Sequence, residues 1–344
     1  MKVSNVLISL GIAAAIFYGL AMGRALLVPF VIAVVIWYLL NVLAATFQRL
    51  TIRTWCPSYR LSLAASVLTF GGLIFVITGV ITRNTIDIIG AAPDYQKNLE
   101  RSIAEVFEYF GQAEPVTVAT LIEGLNIDRI LYNLLWTLTD IIANAAMIIF
   151  YLIFLLLEQQ GFDRKLAAFF DNRERETLVR GLIRQIDLDI QAYIRVKTFV
   201  SLITALLGYM VMMWVKLPFA DFWAFLIFLL NFIPTIGSIV ATLFPCVLAL
   251  VQFETLQPFF IVAVSLGTIQ FFVGYFLDPR LMGKSLNLSP LVILLSLTLW
   301  GGIWGVMGMF IGVPITAIFM IICTHFARTR PIAILLSGDG KLDR

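Results

Sequence analysis

In the run NFIPTIGS, from Asn231 to Ser238, an amide, two hydroxyls, a proline and a glycine interrupt an otherwise apolar stretch. Pro234 has no N–H to give a helix, so a helix reaching this run must open and leave carbonyls without their usual donors. Those carbonyls, with the hydroxyls of Thr235 and Ser238 and a turn around Gly237, suit a cation or a sugar-like hydroxyl. Asn231 could contact the same cargo, or could cap the backbone that Pro234 frees. Gln270 is a further uncharged polar residue inside an apolar run, where it costs free energy unless it finds a partner.

A second group is ionisable. In QIDLDIQAYIRVK, Asp189, Tyr193 and Lys197 recur at four-residue steps, and Asp187, Gln191 and Arg195 do so on an adjoining helical face. Such spacing suits ion pairs and a hydrogen-bonded ladder. Lys197 is nearest the apolar run that follows, so it must snorkel or pair. Asp278 and Arg280 flank Pro279 at the end of another apolar run and can pair with each other or with Lys197. Such a pair has two readings, a structural ion pair at a membrane edge and a gate or proton-coupling device.

Enzyme chemistry finds no set of parts. The single histidine, His325, ends an apolar stretch, and neither HExxH nor GxSxG occurs. Gly283, Lys284 and Ser285 spell GKS, but Asp278 stands where a phosphate-binding loop needs its first glycine. Cys56, Cys246 and Cys323 lie in or beside apolar runs without metal-type spacing, which predicts packing residues. No metal and no cofactor is predicted.

The elements that hold these residues are set by composition. Sixty per cent of the residues are hydrophobic and 13% charged, and the mean hydropathy is +0.96, the profile of a chain that lives in a bilayer. The net charge of +3 gives no basis for nucleic-acid binding. Apolar runs bounded by charges predict six spans: Val6 to Met22, Ala25 to Phe47, Leu61 to Ile81, Ile141 to Leu157, Phe199 to Val215 and Phe259 to Leu277. The first two, separated by Gly23 and Arg24, predict a tight hairpin near the N-terminus.

Two further stretches, Phe222 to Phe253 and Leu291 to Cys323, are broken at FIPTIGS and WGGIWG. A crossing takes about 20 helical residues, so each is too long for one straight span and too short for two. Two short legs meeting inside the membrane fit better, with Gly301, Gly302, Gly305 and Pro314 marking the second break. If each hairpin returns to the side it came from, 18 of the 24 Lys and Arg residues face the cytoplasm, together with both termini. Simple kinks would leave that asymmetry unexplained. The fold predicted is all-α and polytopic, with two re-entrant hairpins in an inverted repeat. Each repeat is a span followed by a hairpin; Gly237 precedes Pro245 by eight residues and Gly305 precedes Pro314 by nine.

The segments predicted are 1–82 (three spans), 83–140 (an extracytoplasmic amphipathic helical arm), 141–157 (a span), 158–198 (a charged cytoplasmic segment), 199–323 (a transport core) and 324–344 (a cytoplasmic tail). The arm carries nine acids against four bases, with apolar residues at three- and four-residue steps. It could contact another subunit or lie on its own membrane domain.

The runs NFIPTIGSIVA and DPRLMGKSLNLSPLVILLSLTLWGGIWGVMGMFIGVPITA, with QAYIRVK before the fifth span, resemble the autoinducer-2 exporter family of bacterial inner-membrane proteins. The resemblance runs from about Arg180 to Leu336; upstream it rests on the span pattern. It implies an inner-membrane transporter of a small polar molecule or ion, working in the lipid bilayer. Export of autoinducer-2 and sodium/proton antiport are both activities it implies, and it implies a homo-oligomer, a pentamer among the forms. Ser238 stands where the family frequently has a second proline. A passive pore or membrane scaffold is the remaining class.

Overall fold

A backbone in hydrocarbon must satisfy its own N–H and C=O groups, and the α-helix does so within one segment. The computed structural model describes residues 3–49, 58–80, 136, 143–159, 161–253, 255–282 and 286–341. Among them the regular elements are helices. In chain order they are α1 (Val3–Met22), α2 (Arg24–Arg49), α3 (Tyr59–Val80), α4 (Ala145–Glu158), α5 (Phe162–Phe169), α6 (Arg173–Val215), α7 (Ala220–Leu230), α8 (Ile236–Gln252), α9 (Gln257–Met282), α10 (Pro290–His325) and α11 (Arg330–Leu336). Of these, α2, α3, α6, α9 and α10 are long and apolar enough to cross a bilayer, and α4 with α5 can supply a sixth. The arm expected at 83–140 lies outside the described residues apart from Trp136.

The chain divides into two units, the first made of Met1–Val67, Ile141–Arg195 and Lys284–Arg344, the second of Leu68–Asp140 and Val196–Gly283. In the first unit α2 packs along α4, with Phe30 edge-on to Tyr151 at 5.5 Å. A polar cluster links three segments there. Trp37 Nε1 donates to Gln159 Oε1 at 2.9 Å, Tyr59 donates to Asn41 Oδ1 at 2.9 Å, and Gln159 Nε2 donates to the Tyr59 oxygen at 3.0 Å. Between α1 and α2 stands Gly23 alone, with helical hydrogen bonds running up to it and away from it. That spacer is narrower than the two to five residues of a usual helical hairpin loop. The Leu20 carbonyl accepts from Trp304 Nε1 at 2.9 Å.

The 36 residues of α10 read as one apolar helix, yet they fold back on themselves. A straight helix of this length would be about 54 Å long, with residues 20 positions apart separated by about 30 Å. Instead the hydroxyls of Ser296 and Thr316 lie 2.7 Å apart. A Cβ built on Gly308 would sit 1.8 Å from the Trp300 carbonyl oxygen, and one on Gly301 would sit 2.8 Å from the end of Met309. The reversal is at Gly305, whose φ of 64° and ψ of −142° are non-helical and suit a residue without a side chain. Gly301 and Gly302 are helical and Pro314 lies within the second leg, so of the four expected break residues Gly305 makes the turn. In a cysteine-free background, Ser296→Cys with Thr316→Cys should form an intramolecular disulfide on oxidation, seen as a mobility shift reversed by reductant; no bond would mean a straight helix.

The base of this hairpin is tied to the segment that follows it. Ser289 caps α10 by accepting from the Val292 N–H at 3.2 Å, with Pro290 at the first helical position. The Ser289 N–H donates to the Leu336 carbonyl at 3.0 Å, and the Gly338 N–H to the Asn287 carbonyl at 2.9 Å. Asn287 Nδ2 donates to Asp339 Oδ1 at 3.1 Å and to the Lys341 carbonyl at 2.7 Å.

In the second unit the apolar end of α6 stops at Lys216, which has φ 60° and occupies the place glycine usually takes after a helix. Leu217 and Lys216 donate back to the Met212 and Met213 carbonyls, at 2.9 and 3.1 Å. The chain then turns through Phe219 into α7. The legs α7 and α8 are antiparallel, since Trp223 stacks on Phe244 at 5.7 Å and a Cβ on Gly237 would lie 1.8 Å from the Leu230 carbonyl oxygen. Both hairpins therefore close through a glycine pressed against a carbonyl of the opposite leg. The counterpart of Gly237 is Gly308; spacing to the nearest proline had paired it with Gly305.

Candidate functional site

The first hairpin turn is assembled by what proline withholds. Near the end of α7 the bonds tighten, with Phe232 and Ile233 donating to the Leu229 and Leu230 carbonyls at 3.2 and 2.9 Å. Pro234 can donate nothing. Its carbonyl accepts from Ile236 N at 2.6 Å, which places Thr235 at the centre of a three-residue turn with φ 63° and ψ −62°. For a β-branched residue this is strained, and such strain costs about 1–3 kcal/mol. The Thr235 carbonyl is held by Ser238 Oγ at 2.8 Å and Ile239 N at 3.2 Å, while the Asn231 carbonyl accepts no hydrogen bond among the described residues.

Around the turn, Asn231, Phe232, Ile233 and Gly237 are buried, Pro234 and Ser238 half-buried, and Thr235 exposed. Asn231 Nδ2 donates to Ser201 Oγ on α6 at 3.2 Å, so its side chain points at a buried hydroxyl and caps no backbone. Ser201 was not singled out from the sequence; serine in a helix is compatible with a solvated or back-bonded hydroxyl, and only its 0% exposure marks it. Trp223, beneath the turn, buries an indole N–H that has no partner among the described residues. Gln270 is half-buried on α9 and makes no side-chain hydrogen bond among the described residues.

The charged group resolves into one pair. Lys197 Nζ meets Asp278 Oδ2 at 2.5 Å, with the two side chains 5% and 22% exposed. Arg280 is exposed and lies over the Phe276 ring at 5.9 Å, so it pairs with neither. Asp278 Oδ1 is buried without a hydrogen-bond partner among the described residues. The π-helical stretch Val273–Leu277 leads directly into Asp278. One extra residue per turn is rare in helices and is found most at functional positions. In the first unit, Tyr193 is buried and Gln191 donates to Asp187 at 2.9 Å, one rung of the expected ladder. Among the described residues no group of acids, histidines and cysteines could hold a metal ion, and Cys246 and Cys323 are buried free thiols.

The chain is 28% identical over 348 residues to the AI-2 transport protein TqsA of Escherichia coli K12, covering 98% of this chain and 96% of that relative. It is 26% identical over 345 residues to a provisionally named transport protein of Haemophilus influenzae, covering 96% and 95%. A similarly named protein of Borreliella burgdorferi is 32% identical over 201 residues, covering 58% and 55%. The family described as AI-2E family transporter matches residues 10–328, and the chain, a membrane protein of several apolar helices, belongs to that family.

Proposed function

We propose that this chain is a secondary transporter that exports a small polar signalling molecule of the autoinducer-2 type across the bacterial inner membrane. The observation that supports it most is the opened turn of the first hairpin, where Pro234 and Thr235 leave the Asn231 carbonyl without a donor among the described residues, inside an apolar stretch. Broken helices of this sort line transport sites near the bilayer midplane. In this proposal Asn231, Pro234, Thr235, Gly237, Ser238 and Gln270 contribute to the path and 199–323 is the transport core. The two hairpins enter the bilayer from opposite sides without crossing it, and both termini are cytoplasmic. The working form is a homo-oligomer, with a pentamer expected. Monovalent cation/proton antiport is the second reading, favoured by the Lys197–Asp278 pair.

Uptake of labelled autoinducer-2 into proteoliposomes, set against dissipation of a pH gradient by sodium, separates the two. Pro234→Ala should restore a backbone donor and close the turn, so transport per inserted protein should fall. Asn231→Ala should also lower it, because the buried Ser201 hydroxyl left without its partner costs about 1–3 kcal/mol. Near-normal transport by both variants would remove the first hairpin from the path.

A further inference from the structure

We propose that Asp278 is the proton-binding group that couples transport to a pH gradient, with Lys197 as its built-in counter-ion. This rests on the transporter function proposed above and adds its source of energy. Three observations lead here. The Lys197 ammonium is held out of water and has Asp278 as its hydrogen-bonded partner. Among the described residues the carboxylate is satisfied on one oxygen, since Oδ1 is buried without a donor there. And the pair sits where the π-helical stretch Val273–Leu277 gives way to α-helix, a rare backbone geometry found most often at functional sites.

The charged surroundings single out this acid. In the second unit the described charged residues are Lys197, Lys216, Asp221, Asp278 and Arg280. Of the elements against α9, α8 brings the Cys246 thiol as its one titratable group, and the stretch of α6 within this unit brings Lys197 and Tyr209; α7, packed on α8, carries Asp221 in its first turn. On α9 itself Tyr275 and Arg280 are exposed. Asp221 belongs at a helix N-terminus, where the backbone dipole favours its charge. Asp278 faces the buried Lys197 ammonium.

The step is one proton in and one proton out. A proton taken from the aqueous side binds Oδ1, forming the O–H bond of a neutral carboxyl, and the ammonium keeps its own proton throughout. Removing the carboxylate charge strands Lys197 in an apolar setting, which favours a second arrangement of α6 against α9 in which the ammonium finds another acceptor. Loss of the proton to the other side restores the pair. Because α6 leads into the first hairpin, each cycle of this pair can bias the turn that begins at Asn231.

The test uses full-length protein and two variants, Asp278→Asn and the double change Lys197→Met with Asp278→Asn, which removes both charges so that neither is stranded. Infrared difference spectra of purified protein between alkaline and acid pH should show the carbonyl stretch of one more newly protonated carboxyl in the parent protein than in either variant. In proteoliposomes loaded with a pH-sensitive dye, proton flux per labelled autoinducer-2 molecule moved, or per sodium ion moved, should be lost in the double variant. The proposal is overturned if the carboxyl band has the same intensity in the parent protein and both variants, or if the proton-to-cargo ratio survives in the double variant. Should the parent protein move neither cargo, the cargo assignment fails while the infrared comparison still decides whether Asp278 binds the proton.

Discussion

Gly308→Ala is expected to abolish recovery of folded protein in detergent, and Gly237→Ala to do the same through the first hairpin. In each case the new methyl would lie 1.8 Å from a backbone carbonyl oxygen of the facing leg, Trp300 or Leu230. The obstacle is backbone, which cannot swing aside as a side chain can. The legs must separate and lose the contacts that define them, the Trp223–Phe244 stack in one hairpin and the Ser296–Thr316 hydroxyl pair in the other. Ordinary overpacking costs about 1–3 kcal/mol, and a clash with backbone at this distance belongs at or above the top of that range. Gly302→Ala is the matched control, because nothing lies within 4 Å of its would-be methyl, and helical alanine is favoured over glycine. Thermal unfolding of the fluorescence-tagged proteins would read all three. A Gly308→Ala midpoint equal to that of Gly302→Ala would mean the legs stand farther apart than described.

Breaking the Lys197–Asp278 pair from one side should also have a large effect on stability. Removing one partner of a buried pair costs about 3–5 kcal/mol, while replacing both can be neutral or stabilising. The unequal burial, 5% for Lys197 against 22% for Asp278, adds a direction. Asp278→Asn strands the deeper charge and should lower the unfolding midpoint more than Lys197→Met, which strands the wetter one. The double variant should recover most of the loss. Equal midpoints for all three would reduce the pair to a surface contact.

The first hairpin is legible in the sequence because Pro234 and Gly237 lie close together between two apolar legs, too long for one crossing. The second is legible as a break but not as a geometry. What matters there is which glycine faces which carbonyl across the turn, and spacing to a proline on one leg does not report it, so Gly305 was matched where Gly308 belongs. The ion pair is half legible: Lys197 in an apolar setting has to pair, but Asp278 lies 81 positions away and Arg280, beside it, competes on sequence alone. Their separation is physical, since Arg280 finds the Phe276 ring. Ser201 and the π-helical stretch leave no signal, because a small hydroxyl residue and an apolar VGYFL fit an ordinary helix equally well.

The strap across the base of the second hairpin has a consequence for the order of biosynthesis. Asn287 and Ser289 are made before α10, yet their hydrogen-bond partners, Leu336, Gly338, Asp339 and Lys341, leave the ribosome only after both legs. During translation the first leg is therefore inserted with its base open, and the hairpin acquires its anchor last. A nascent chain halted between His325 and Leu336 would hold both legs without a fixed root.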